Sequence, residues 1–329
     1  MTTKQESIPL VQVQHLSHRY TKDWAIRDIN LELDGNKIVG LLGSNGAGKS
    51  TMMNIICGVL NQTEGRVLIN GHDINRNSVE AKKQIGFLPQ KPPLHTDLTV
   101  EEYLEFTANL RLVERKEVKR AVEEAMQKCA ITHFRKRLIK NLSGGYQQRV
   151  GIAQAIIHNP KFIVLDEPTN GLDPNQILEI RNLIKEIAKE RVVLLSTHIL
   201  QEVEAMCHEI IMIELGEFVF KGTMEEFSNS LESNTLTLLF KEGEPLPTDK
   251  ELLQIEGVKE LQEEGGRSLK VIYDPLKQVK QSIIKESVER GWQLEEIYKE
   301  RINPDEIFKH FSKDAYLKME SRKMKETNL

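Results

Sequence analysis

KIVGLLGSNGAGKSTMMNIICGV, residues 37–59, sets a short apolar run against a glycine-rich loop and then a helical pattern. The run 37–42 has no polar alternation, as expected of a central parallel strand covered on both faces. GSNGAGKS, residues 43–50, fits the spacing G-x-x-x-x-G-K-S, and a strand before it and a helix after it are the context such a match requires. Gly43, Gly46 and Gly48 let the backbone of Gly43–Thr51, with Ser44, Asn45 and Ala47 between the glycines, wrap phosphate groups, and the helix N-terminus adds a favourable field. Lys49 is placed to reach the β- and γ-phosphates of a nucleotide, and the Ser50 hydroxyl to ligate Mg²⁺. A purely structural turn would not need Lys-Ser behind its last glycine.

Two more apolar runs repeat the strand pattern: FIVLD (162–166) and RVVLLS (191–196). Helical segments follow them, so the first two thirds of the chain read as a doubly wound α/β core. Asp166 ends a buried strand, where a magnesium-orienting aspartate belongs, and Glu167 beside it can polarise a water as general base. Paired carboxylates after a strand are more often a surface turn. Coupled to the phosphate loop, they read as catalytic.

LSGGYQQRVGIAQAIIHNPKFIVLDEPTNGLD, residues 142–173, adds a second glycine pair far from the first loop. With these motifs, residues 10–222 resemble the ATP-binding cassette (ABC) ATPases, which implies a P-loop NTPase fold and the cofactors ATP and Mg²⁺. The resemblance implies that two cassettes pair head to tail, so that Ser143, Gly144 and Gly145 of one touch the γ-phosphate held by the other. A loop of this kind also caps its own helix, and Ser143 can do either. Tyr146 stands where glutamine is commoner. The family also implies that Tyr20 stacks on adenine and that Gln90 senses Mg²⁺ and contacts the membrane partner. In the same way Asp173 belongs to a loop that crosses the dimer, and His198 contacts the γ-phosphate.

Composition agrees with this class. The chain has 329 residues, 29% of them charged, with a net charge of −4, which disfavours a general nucleic-acid binder. Its three cysteines lie far apart, so neither disulfides nor zinc are expected, and a reducing cytoplasm is the natural compartment. No apolar run approaches a bilayer-spanning length. The resemblance implies a second ATPase subunit and integral membrane permease subunits as partners, and the charge argues against nucleic acid. The expected location is cytoplasmic, on the inner face of the membrane through the permease.

Domain boundaries follow from pattern changes. An ABC ATPase domain is expected over 1–228, with a charged helical subdomain at about 97–150 opened by a Thr99/Glu102 capping box. From 229 to 315 the segments TLTLLF, ELLQI, GVKELQ, SLKVIYD, LKQVKQSIIKESVER and WQLEEIYK suggest β-α-β-β-α-β, a ferredoxin-like accessory domain of α+β type. A last helix is expected at NPDEIFKHF, with Asn303 as N-cap and Pro304 at N1. Residues 316–329 are polar and read as a flexible tail. This ending is similar to cassettes of ABC-2-type exporters, and TNGLDPNQ is similar to the gliding-motility-associated ATP-binding subunit of that group. The alternative is a soluble cassette acting on nucleic acid or ribosomes. Translation-factor cassettes, however, carry two copies per chain, and DNA-repair cassettes carry a long coiled coil for which there is no room between Lys49 and Ser143.

Overall fold

The computed structural model describes residues 8–230, 234–243, 246–300 and 304–327. The chain divides into two compact units, the first comprising 1–224 with 309–329 and the second 225–308. In chain order the first holds β1 (Val11–Arg19), β2 (Trp24–Leu33), β3 (Lys37–Leu42), α1 (Lys49–Ile56), β4 (Glu64–Ile69), β5 (His72–Asp73), α2 (Ser78–Lys83) and β6 (Ile85–Leu88). It continues through α3 (Val100–Leu110), α4 (Val118–Lys128), α5 (Gly144–Ile156), β7 (Phe162–Asp166) and α6 (Pro174–Ala188). Then come β8 (Val192–Thr197), α7 (Leu200–Met206), β9 (Glu209–Glu214) and β10 (Glu217–Thr223).

The central sheet has the order β10-β9-β3-β8-β7-β6, and its parallel strands explain the unbroken apolar runs. Successive side chains of a strand point to opposite faces. Ile163, Leu165, Val193 and Leu195 accordingly pack on one face with α3, α4, α5 and α6. Val39, Leu41, Val164 and Leu194 pack on the other, with α1 and the smaller antiparallel sheet β2-β1-β4-β5. The capping box that opens α3 is formed. Thr99 Oγ1 accepts the Glu102 N–H at 3.3 Å, and the Glu102 carboxylate accepts the Thr99 N–H at 2.8 Å.

α8 (Met224–Ser228) is followed by β11 (Thr235–Phe240), α9 (Asp249–Leu253), β12 (Val258–Gly265), β13 (Ser268–Tyr273), α10 (Val279–Arg290) and β14 (Leu294–Lys299). These four strands form a separate antiparallel sheet in the order β12-β13-β11-β14, with Leu236, Leu238, Val271 and Ile283 in its core. The last element, α11 (Pro304–Thr327), corrects the expectation of a flexible tail. Residues 316–327 lack an apolar stripe, but they are rich in Lys, Glu, Met and Arg and free of Gly and Pro, which favours continuing a helix already begun. Asn303, expected as its cap, lies outside the described residues.

Candidate nucleotide site

Strand register assembles the site. Leu42 pairs with Thr197 of β8 and Met212 of β9, Asp166 pairs with Ser196, and Leu88 pairs with Leu165. The loop 43–48, Asp166–Glu167, His198 and Gln90 therefore all leave the same carboxyl edge of the sheet, where open α/β sheets bind ligands. Gly43 and Gly48 are required there by space. A Cβ on Gly43 would sit 2.3 Å from the Ile213 carbonyl oxygen, and one on Gly48, whose φ is +109°, 2.8 Å from that of Ala25.

Lys49, the first residue of α1, curls back so that its Nζ donates to the carbonyl oxygens of Gly43 at 2.8 Å and Ser44 at 3.0 Å. Burial holds its ammonium below the usual lysine range, against the pull of Glu167, Asp166 and Glu214. Those causes place the lysine among three carboxylates, ready to meet further negative charge. Ser50 is exposed at the start of the helix. Tyr20, 64% exposed, lies at the same helix with its hydroxyl 3.3 Å from Thr51 Oγ1. An exposed ring beside a phosphate loop offers a stacking face.

Asp166 is nearly buried, and one of its oxygens accepts the Ser196 hydroxyl proton. Glu167 has φ +47°, a left-handed conformation uncommon outside glycine. Its N–H is held by the Ser196 carbonyl at 3.2 Å and the Ser196 Oγ at 3.1 Å. That strained backbone aims the carboxylate, whose Oε1 lies 3.0 Å from His198 Nδ1. A carboxylate paired with an imidazole can take a proton from water and be kept in place while it does so.

The second glycine pair is built differently. Ser143 is the N-cap residue of α5 by position, but its side chain makes no cap hydrogen bond, and both Ser143 and Gly144 are exposed. Gly145 is packed so closely on α6 that a Cβ would meet the Gln176 side chain at 2.6 Å. Asp173 caps α6 by accepting the Gln176 N–H at 3.0 Å. Among the described residues no hydrogen bond ties Ser143 or Gly144 to Lys49, Asp166, Glu167 or His198.

The family model described as ABC transporter matches residues 26–170. The ABC transporter ATP-binding protein NatA of Bacillus subtilis is 34% identical over 218 residues, 66% of this chain and 89% of that protein. The chain belongs to the ABC transporter ATP-binding proteins. It is an ATPase of that family. The bacitracin transport ATP-binding protein BcrA of Bacillus licheniformis is 34% identical over 212 residues, 64% of this chain and 68% of that one. Among solved structures, the dimeric structure of a post-hydrolysis state of an ATP-binding cassette bound to ADP and Pi matches at a TM-score of 0.59 with 28% identity. It covers 65% of this chain and 98% of its own.

The donors present fit Mg²⁺ held largely by phosphates. Among the described residues no cluster of three His, Cys, Asp or Glu side chains could hold a metal by itself. Mg²⁺ in nucleotide sites is bound by one or two carboxylates with substrate phosphates and waters. Asp166, the Ser50 hydroxyl and the exposed Gln90 are the oxygen groups that would hold it.

Three residues of the cassette's site escaped sequence reasoning. Ser196 ties Asp166 to Glu167. Glu202, 2% exposed, accepts from the hydroxyls of Thr197 at 2.7 Å and of Thr169, linking the segments after β8 and β7. Glu214, 1% exposed, holds Ser44 of the phosphate loop. The unusual Tyr146 packs edge-on to Phe134 at 4.5 Å between ring centroids, so it fastens α5 to the helical region.

Proposed function

We propose that this chain is the ATP-binding and ATP-hydrolysing subunit of an exporter, which closes as a dimer on MgATP to drive separate membrane subunits. The observation that carries the dimer is the exposed, uncapped Ser143 at the head of α5, hydrogen-bonded to none of the phosphate-loop cluster. A site shared between two copies gives that loop an anion to bind. Transport is supported by the name of the relative from Bacillus licheniformis, and export by that of the lipopolysaccharide export system ATP-binding protein LptB of Haemophilus influenzae.

In this reading Lys49 and the amides of 43–51 bind the phosphates, with His198 at the γ-phosphate. Ser50, Asp166 and Gln90 would hold Mg²⁺, which when bound would supply positive charge beside the phosphate oxygens. Glu167 orients the attacking water and takes its proton, and the partner copy's signature loop completes the enclosure. Positioning and electrostatics carry such a phosphoryl transfer. Tyr20 stacks on the base, and Asp173 lies in the loop that crosses to the second copy.

No helix among the described residues is long and apolar enough to cross a membrane. Docking to permease subunits near Gln90 and the 97–140 helices is supported by exposed Leu110 and Leu112 beside Lys82 and Lys83. For the second unit we favour a ferredoxin-like accessory domain, on the strength of its element order and its β12-β13-β11-β14 sheet. Action on nucleic acid finds no support in a net charge of −4.

The test mixes lesions. Lys49→Ala on one chain and Ser143→Arg on the other should together leave one intact composite site in a dual-tagged heterodimer, which occludes ATP, whereas neither homodimer does. Mixed dimers that occlude no more ATP than the homodimers would refute the shared site.

A further inference from the structure

A carboxylate stands against the phosphate loop, where binding of phosphates would not ask for one. Glu214 Oε1 accepts the N–H of Ser44 at 3.0 Å, and its Oε2 accepts the Ser44 hydroxyl at 2.8 Å. One turn residue on, the Gly216 N–H donates to the Ala47 carbonyl at 2.9 Å, so the β9–β10 hairpin grips the loop at two points. A third donor reaches the same carboxylate from far along the sequence. Ser312 on α11 gives its hydroxyl proton to Glu214 Oε1 at 3.1 Å. Its neighbour Phe311 packs at a tilt against Phe220 of β10, 5.6 Å between ring centroids. All these residues belong to the first unit.

A buried anion is costly unless donors spread its charge, and beside a phosphate site it also repels the ligand. Glu214 is 1% exposed, so water cannot do this work. Lys49 shares in it, since Glu214 is among the charges that favour its ammonium. Among the described residues, two of the three hydrogen-bond donors come from Ser44 itself, and only Ser312 is supplied by another part of the chain. We propose that Glu214 is a positioning residue for the phosphate loop, and that Ser312 of α11 tunes ATP affinity by sharing the charge of that carboxylate. The C-terminal helix thereby acts on nucleotide binding through one side chain.

The inference rests on residues 43–51 being the ATP phosphate loop, and ATP titration of the unaltered chain tests that separately. In the full-length protein, Ser312→Ala should weaken ATP binding and raise KM about threefold, within what one hydrogen bond is worth, while kcat stays level. Hydrogen exchange of the peptide containing Ser44 should quicken without nucleotide. Glu214→Gln removes the charge but keeps an acceptor, so adding Ser312→Ala to it should change ATP affinity no further. Parental ATP affinity in Ser312→Ala would overturn the proposal. So would a threefold loss that persists in the Glu214→Gln background, because a packing role alone would give it. Failure of the unaltered chain to bind ATP would overturn both the phosphate-loop reading and the proposal.

Discussion

Replacing Ser196 by alanine removes one oxygen atom from the centre of the candidate site and leaves the apolar packing of β8 untouched. That oxygen donates to Asp166 and accepts the Glu167 N–H at 3.1 Å. The two losses are unequal. The Glu167 N–H keeps its 3.2 Å bond to the Ser196 carbonyl, so the left-handed backbone of Glu167 persists. Among the described residues Asp166 keeps no such reserve on that oxygen. Ser196 is 0% exposed and Asp166 6%, so there is no open route for water to fill the gap. A hydrogen bond to a charged group contributes about 1.5–3 kcal/mol, so we expect a stability loss of about 2 kcal/mol. For a unit of this size that lowers the melting midpoint by roughly 4–8 °C. Function should separate by ligand. ATP binding in EDTA stays at the parental level, because the phosphate loop is unchanged. The Mg²⁺ needed for half-maximal hydrolysis rises, and the rate falls about tenfold, equivalent to about 1.4 kcal/mol of orientation lost at Asp166. Calorimetry and a Mg²⁺ titration of steady-state hydrolysis make the comparison. A lowered midpoint with an unchanged Mg²⁺ profile would show that Ser196 serves packing alone, and the orientation argument would be wrong.

Glu167→Gln keeps the shape of the side chain but loses its basicity, so hydrolysis should fall roughly 10²–10⁴-fold while ATP binding survives; an ATP-stabilised dimer should then accumulate on size exclusion, and normal turnover would remove Glu167 as base. His158 lies 3.0 Å from the Ile85 carbonyl, and burial, with the Arg111 charge, pulls its pKa from 6.5 to about 4. The unfolded chain therefore binds a proton that the fold resists, and stability should drop as pH falls from 6.5 towards 4, by about 3 kcal/mol across the window. Denaturant melts of His158→Gln, which retains a donor for Ile85, should show that slope flattened. Gly86→Ala puts a Cβ 2.1 Å from the Ala155 carbonyl oxygen, forcing α5 off β6. A loss of about 3 kcal/mol or more is expected in the same melts.

What was legible in the sequence was what is local. The phosphate loop announces itself because its glycines, lysine and serine act within one turn, and the buried strands because both their faces are covered. Asp166 and Glu167 became legible only in company with that loop. Ser196, Glu202 and Glu214 did not, and the reason is the same for each. Their partners lie one strand or one loop away, and the pairing exists only once β8 is in register with β7 and β9 is beside β3. Read singly, a serine ending RVVLLS is a strand terminus, and Glu214 before Leu-Gly is a solvated charge at a hairpin turn. Fold a parallel sheet around them and both become buried, with a carboxylate or a loop amide among their partners. A buried polar group must be satisfied, and in this sheet the groups at hand belong to the site. The terminal helix shows the opposite failure. Its composition favoured helix throughout, but without an apolar period nothing in the sequence said what it would touch. Ser312 reaching Glu214 at 3.1 Å depends on a single polar contact, which no hydrophobic pattern can record.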